Sequence, residues 1–101
     1  MTVRVNIDGR VAAPEDALIS VLDRGFLYGD SVYEVVRTYE GTVFALEEHL
    51  ARLEISAERL HLALPGQDEL AREIDRTLEA AGNDDSYCRL IVTRGVGPIT
   101  L

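Results

Sequence analysis

Tyr87 and Arg89 stand two residues apart in the stretch Tyr87-Cys88-Arg89-Leu90-Ile91-Val92-Thr93-Arg94, whose β-branched and aromatic content predicts a strand. Side chains two apart on a strand share a face, so Tyr87, Arg89, Ile91 and Thr93 point one way. Cys88, Leu90, Val92 and Arg94 point the other. A guanidinium offers a planar fork of donors and a phenol adds one directed hydrogen bond, which together suit a carboxylate ligand. The ordinary alternative is an arginine neutralised by one of the eighteen Asp and Glu side chains.

A second predicted strand carries a comparable set. Over residues 31 to 39, Tyr33, Val35, Arg37 and Tyr39 share one face, and Val32, Glu34, Val36 and Thr38 share the other. Taken alone, Tyr28 and Tyr33 read as core or interface aromatics, the commoner fate of such side chains. Glu34 and Arg37 could pair with each other or with a second domain, and no chemistry is assigned to them. Arg52 lies in a predicted helix, where its fork could suit a phosphate but the residues alone favour a pair with the carboxylate of Glu48 one turn earlier. His49 and His61 belong to no cluster and are left out of any mechanism.

Other chemistries lack their residues. All ten cationic side chains are arginine and none is lysine. The single Cys88 cannot form an internal disulfide, reads as a small buried strand residue, and has no Cys and His cluster around it at metal-ligand spacing. Gly95-Val96-Gly97-Pro98 runs into a proline rather than a helix and is no phosphate loop. Ser20, Ser31, Ser56 and Ser86 show no nucleophile-elbow pattern, and Asp84-Asp85 reads as a solvated turn. The net charge of −8 repels nucleic acid and anionic membrane surfaces.

The elements that must position these residues follow from pattern and punctuation. Val3, Val5 and Ile7 alternate with polar residues up to Asp8-Gly9, a hairpin turn leading into Arg10-Val11-Ala12. Beyond Pro14, Gly25 and Gly29 bracket Phe26-Leu27-Tyr28 in what reads as a bent loop. Residues 31 to 39 then turn at Glu40-Gly41 into Thr42-Val43-Phe44-Ala45. Leu46, Leu50, Leu53, Ala57, Leu60 and Leu64 recur at spacings of four and three, which predicts a helix over about residues 46 to 62. Pro65-Gly66 ends it. Asp68 can cap a second helix with the stripe Leu70, Ile74, Leu78 and Ala81, stopped by Gly82-Asn83. Residues 86 to 94 close the fold. The expected architecture is α+β, two layers, with an antiparallel sheet packed on two helices.

At 101 residues and 47% apolar content the chain suits a single domain, residues 1 to 101. A chain of this size buries somewhat over about 60% of its unfolded surface, so stability is expected to be marginal. No apolar run approaches the roughly 20 residues of a membrane helix, and Met1-Thr2-Val3-Arg4 lacks a signal-peptide core, so the chain reads as cytoplasmic.

Three ordered blocks carry a resemblance. They are Asp23-Arg24-Gly25-Phe26-Leu27-Tyr28-Gly29-Asp30-Ser31-Val32-Tyr33-Glu34-Val35-Val36-Arg37-Thr38-Tyr39-Glu40-Gly41, then Glu48-His49-Leu50-Ala51-Arg52-Leu53 with Ser56-Ala57, and Tyr87-Cys88-Arg89-Leu90-Ile91-Val92-Thr93-Arg94-Gly95. Together they resemble the amino-terminal small domain of the class IV (fold-type IV) pyridoxal-phosphate enzymes: branched-chain aminotransferases, D-amino-acid aminotransferases and aminodeoxychorismate lyases. The resemblance implies that Arg52, in His-x-x-Arg-Leu, binds the phosphate of pyridoxal 5'-phosphate. It implies that Tyr87 and Arg89 lie beside the substrate carboxylate, and that Tyr33 walls the side-chain pocket. It also implies that Tyr28 reaches the active site of a neighbouring subunit in a homo-oligomer.

The same resemblance implies transamination between an amino acid, branched-chain by the Tyr-x-Arg pattern, and a 2-oxo acid. The Schiff-base lysine of such enzymes lies in a larger carboxyl-terminal domain, which has no counterpart in these residues. This chain by itself is therefore expected to be inactive and to hold no covalently bound cofactor. Within the family the alternative is aminodeoxychorismate lyase. Outside it, the alternative is a stand-alone module that binds a small anion or dimerises without catalysis.

Overall fold

The computed structural model describes residues 1–97, so Pro98 and the residues after it lie outside the description. The elements run β1 (Val5–Ile7), β2 (Arg10–Ala12), a 3-10 turn (Pro14–Asp16), α1 (Arg24–Tyr28), β3 (Ser31–Tyr39), β4 (Thr42–Val43), α2 (Leu46–Arg59), α3 (Gln67–Ala81) and β5 (Tyr87–Thr93). The class is α+β with antiparallel strands, as the pattern predicts.

The strands form two sheets rather than one. β3 is the centre of a three-stranded sheet in the order β4-β3-β5, while β1 and β2 pair only with each other. Asp8 and Gly9 both take positive φ, the geometry that closes a two-residue hairpin. The hairpin docks on α3 through Asn6, whose Nδ2 donates to Glu73 Oε2 and Thr77 Oγ1, each at 3.0 Å.

Three local expectations are corrected. Phe26-Leu27-Tyr28 belongs to a short helix rather than a bent loop. The Asp23 carboxylate accepts from the Gly25 amide at its start, and Gly29 ends it in the left-handed conformation. Helix α2 stops at Arg59, because His61 adopts φ 52° and reverses the chain. That reversal leaves Leu60 exposed and turns Leu62 inward. Gly66, not Asp68, occupies the cap of α3, where Asp68 instead places its charge in the first turn against the helix dipole.

The core is the contact between the inner face of β3 and helices α2 and α3. Val32, Leu50, Leu53, Ala57, Leu62, Leu70 and Ile74 are buried together, and Leu53 is completely so. Cys88, Leu90 and Val92 of β5 pack against this cluster from the partly buried edge. Alternation does the rest: residues of β3 and β5 that face away from the helices are exposed, apart from half-buried Ser31, Val35 and Thr93.

Candidate functional site

The outer face of the three-stranded sheet holds three of the five candidate residues. The antiparallel register sets Tyr33 opposite Ile91, Val35 opposite Arg89, and Arg37 opposite Tyr87. Arg89 reaches diagonally to Tyr33, so its guanidinium carbon lies 4.5 Å from the ring centroid, within cation–π range. Arg37 sits 5.6 Å over the Tyr39 ring. Tyr33 is 56% exposed and Tyr87 65%. No ion pair involves Arg89 or Arg37 among the described residues. The ordinary alternative for Arg89, a neighbouring carboxylate, is not what the structure shows.

Arg52 lies on the other side of β3. Its Nε donates to Glu34 Oε2 at 3.0 Å and its Nη2 to Glu34 Oε1 at 2.7 Å, a forked pair. The partner is thus Glu34, not Glu48, and Glu34 does not meet Arg37, because consecutive β3 residues face opposite ways. Glu34 is buried while Arg52 remains largely exposed. His49 Nδ1 lies 2.7 Å from Glu34 Oε1. An ionised carboxylate only accepts, so His49 carries its proton on Nδ1.

The forked hydrogen bond from Arg52 holds the Glu34 carboxyl below its ordinary value; burial opposes that shift and the His49 bond adds to it. The same bond raises Arg52. Nη1 of Arg52 has no hydrogen-bond partner among the described residues, which leaves an oriented, charged donor for an anion.

Tyr28, half exposed at the end of α1, has no hydrogen bond or ring contact with the other four candidates among the described residues. Its surroundings contain residues that spacing did not single out. Thr93 Oγ1 donates to Asp23 Oδ2 at 3.0 Å. Arg94 forks onto Asp30 and donates to the carbonyls of Leu60 and His61. The Arg94 hydrogen bond lowers the Asp30 carboxyl. Asp85, read as part of a solvated turn, instead accepts from Thr38 Oγ1 and the Gly41 amide and ties the β3–β4 hairpin to β5. Glu34 and His49 had one sequence signal, the alternation that sends a carboxylate into the core.

No group of three or more His, Cys, Asp or Glu able to hold a metal occurs among the described residues. Burial pushes the Cys88 thiol up, away from a reactive thiolate.

Residues 31–100 match the family model described as amino-transferase class IV. The chain belongs to that family. Class IV aminotransferases depend on pyridoxal phosphate, and the sheet and Arg52 geometry described above sits inside the matched region. Among curated relatives, a Methanocaldococcus jannaschii protein provisionally named a branched-chain-amino-acid aminotransferase is 41% identical over 100 residues, covering 98% of this chain and 35% of its own length. A D-alanine aminotransferase of Listeria monocytogenes is 40% identical over 95 residues, covering 93% of this chain and 33% of its own. Among solved structures, 4-amino-4-deoxychorismate lyase from Pseudomonas aeruginosa superposes with a TM-score of 0.76 at 42% identity, over 92% of this chain and 32% of that one. The chain therefore spans about a third of the length of the class IV relatives it matches.

Proposed function

We propose that these residues form the small amino-terminal domain of a class IV aminotransferase that moves an amino group between an amino acid, branched-chain in preference, and a 2-oxo acid. What supports the reading most directly is Arg52, anchored on buried Glu34 with a donor to spare, inside a sequence block typical of the family. Arg52 would hold the phosphate of pyridoxal 5'-phosphate. When bound, that cofactor supplies the electron sink that makes the substrate α-proton removable.

This chain contributes binding and orientation. Arg89, stacked on Tyr33, presents donors to a substrate carboxylate, and Tyr87 on the same face adds a hydroxyl. Tyr33 limits the room beside that carboxylate, and Tyr28 supplies a further wall, in a homo-oligomer that of an adjoining subunit. The amine that must shuttle the proton is a lysine, and these 101 residues contain none. It would come from the larger domain typical of the family, so the present residues alone would be inactive.

Two experiments test this. Borohydride reduction of the isolated chain mixed with pyridoxal phosphate should label no side chain, only the terminal amine; a side-chain label would overturn the assignment of the lysine to another domain. The complete protein should transfer the amino group of L-leucine to 2-oxoglutarate faster than that of D-alanine. Release of pyruvate from 4-amino-4-deoxychorismate, without transamination, would install the lyase reading that the 42% identity favours. Neither activity, with anion binding retained, would install the non-catalytic module.

A further inference from the structure

The segment that carries Tyr28 combines an exposed tip with an unusually anchored base. Phe26, Leu27 and Tyr28 are all exposed, at 66%, 39% and 51%. On either side of them almost every polar group is engaged with the end of β5. Asp23 bonds Thr93 and faces Val96 in an isolated antiparallel bridge. The Arg24 amide and its Nε both donate to the Gly95 carbonyl, at 2.9 and 3.0 Å, and its Nη2 donates to the Arg94 carbonyl at 2.9 Å. Asp30 receives the Arg94 fork.

Two glycines make this closeness possible. A Cβ on Gly25 would come within 2.5 Å of Thr93 Cγ2, and one on Gly97 within 2.5 Å of the Arg24 guanidinium carbon. Arg24 itself is half-buried, makes no ion pair among the described residues, and spends its fork on two main-chain carbonyls. A charged fork used this way fixes geometry rather than binding a ligand.

We infer that Arg24 is a positioning residue for Tyr28: its fork on the carbonyls of residues 94 and 95 locks the short helix α1 to the end of β5, so that the phenol is presented to substrate in one orientation. The inference rests on the reading of Tyr28 as a wall of the site. Arg24 touches no substrate; it acts only through the helix. Ordering a wall before the ligand arrives removes part of the entropy cost of closing the site.

A double-mutant cycle on the complete active protein tests this, using Arg24→Met, Tyr28→Ala and the pair. Arg24→Met is expected to lower kcat/KM by about 10- to 100-fold, mainly through KM, with cofactor affinity unchanged. In the Tyr28→Ala background the same substitution should change kcat/KM by less than about twofold. Losses that simply multiply would overturn the inference, because Arg24 would then act elsewhere. A silent Tyr28→Ala would overturn it too, and would place the failure in the reading of Tyr28.

Gly97→Ala provides a second perturbation that displaces the same guanidinium without removing charge, and it should reproduce the Arg24→Met phenotype in weaker form. Activity aside, backbone order parameters of residues 26 to 28 in the complete protein should fall from about 0.85 to below about 0.6 in Arg24→Met. Unchanged order parameters would overturn the inference whatever the kinetics.

Discussion

Arg52 and Arg89 lie on opposite sides of β3 and are held by opposite means. Arg52 is gripped by a buried carboxylate, which fixes the guanidinium and balances its charge before any ligand arrives. Arg89 rests on an aromatic face that orients it, with no carboxylate partner among the described residues. The first arrangement suits a resident anion that stays through many turnovers. The second suits an anion that must come and go, since no local carboxylate has to be displaced. In a chain with an excess of acidic groups, a face on which Arg89 and Arg37 make no ion pair among the described residues is the less expected of the two arrangements.

The strongest test of this contrast separates folding from binding on one helix. Leu53, fully buried, adjoins Arg52 in sequence. Leu53→Ala should cost about 2 to 5 kcal/mol of stability and lower the thermal midpoint by roughly 10 °C or more. Calorimetry checks both. Arg52→Ala should instead weaken pyridoxal phosphate retention in the complete protein by about 10- to 100-fold, the range for losing a charge-assisted hydrogen bond. Equilibrium dialysis reads it, and unchanged affinity would return Arg52 to a purely structural pair with Glu34.

Arg89→Ala is expected to raise KM for the 2-oxo acid about tenfold with cofactor affinity intact, and Tyr33→Leu to have a smaller effect in the same direction because the platform, not the charge, is lost. Steady-state kinetics with independent cofactor titration would expose any crossover between the two arginines.

Acid gives the mildest distinction. Glu34 has its pKa lowered in the fold, so its contribution to stability is fully present above its ordinary value of 4.5 and is lost as pH falls through the depressed one. Asp30 and Asp85 shift in the same direction. The midpoint should therefore decline on acidification below about pH 4.5. Glu34→Gln should flatten that decline, as followed by circular dichroism. Arg89, having no carboxylate partner among the described residues, should leave the acid limb unchanged when replaced.

Much of this geometry was legible before any coordinates. Period-two alternation sorts residues 32 to 39 of β3 and all of β5 onto the two faces seen in the structure, and the family resemblance singles out Arg52 and Tyr-x-Arg as candidates. What pattern could not supply were partners fixed by tertiary approach. Glu34 lies eighteen positions before Arg52, and nothing local says that helix α2 crosses β3 at that point. The end of α2 is not legible in the sequence, because leucine periodicity continues through Leu60 and Leu64 while the backbone reverses at His61. The short helix at Arg24–Tyr28 escaped notice because its glycines, which signal a loop, are needed for close packing against Thr93 and for a left-handed stop.

The strict alternation along β3 has an evolutionary consequence. On the proposed reading, odd-numbered positions from Tyr33 to Tyr39 can be exchanged to suit a new side chain or a different stereochemistry, while the even-numbered ones stay on the helix side, where Glu34 continues to hold Arg52. A scaffold of this kind separates innovation from retention at single-residue resolution. On the same reading, that separation would let transaminases acting on unlike amino acids, and a lyase, share one small lobe.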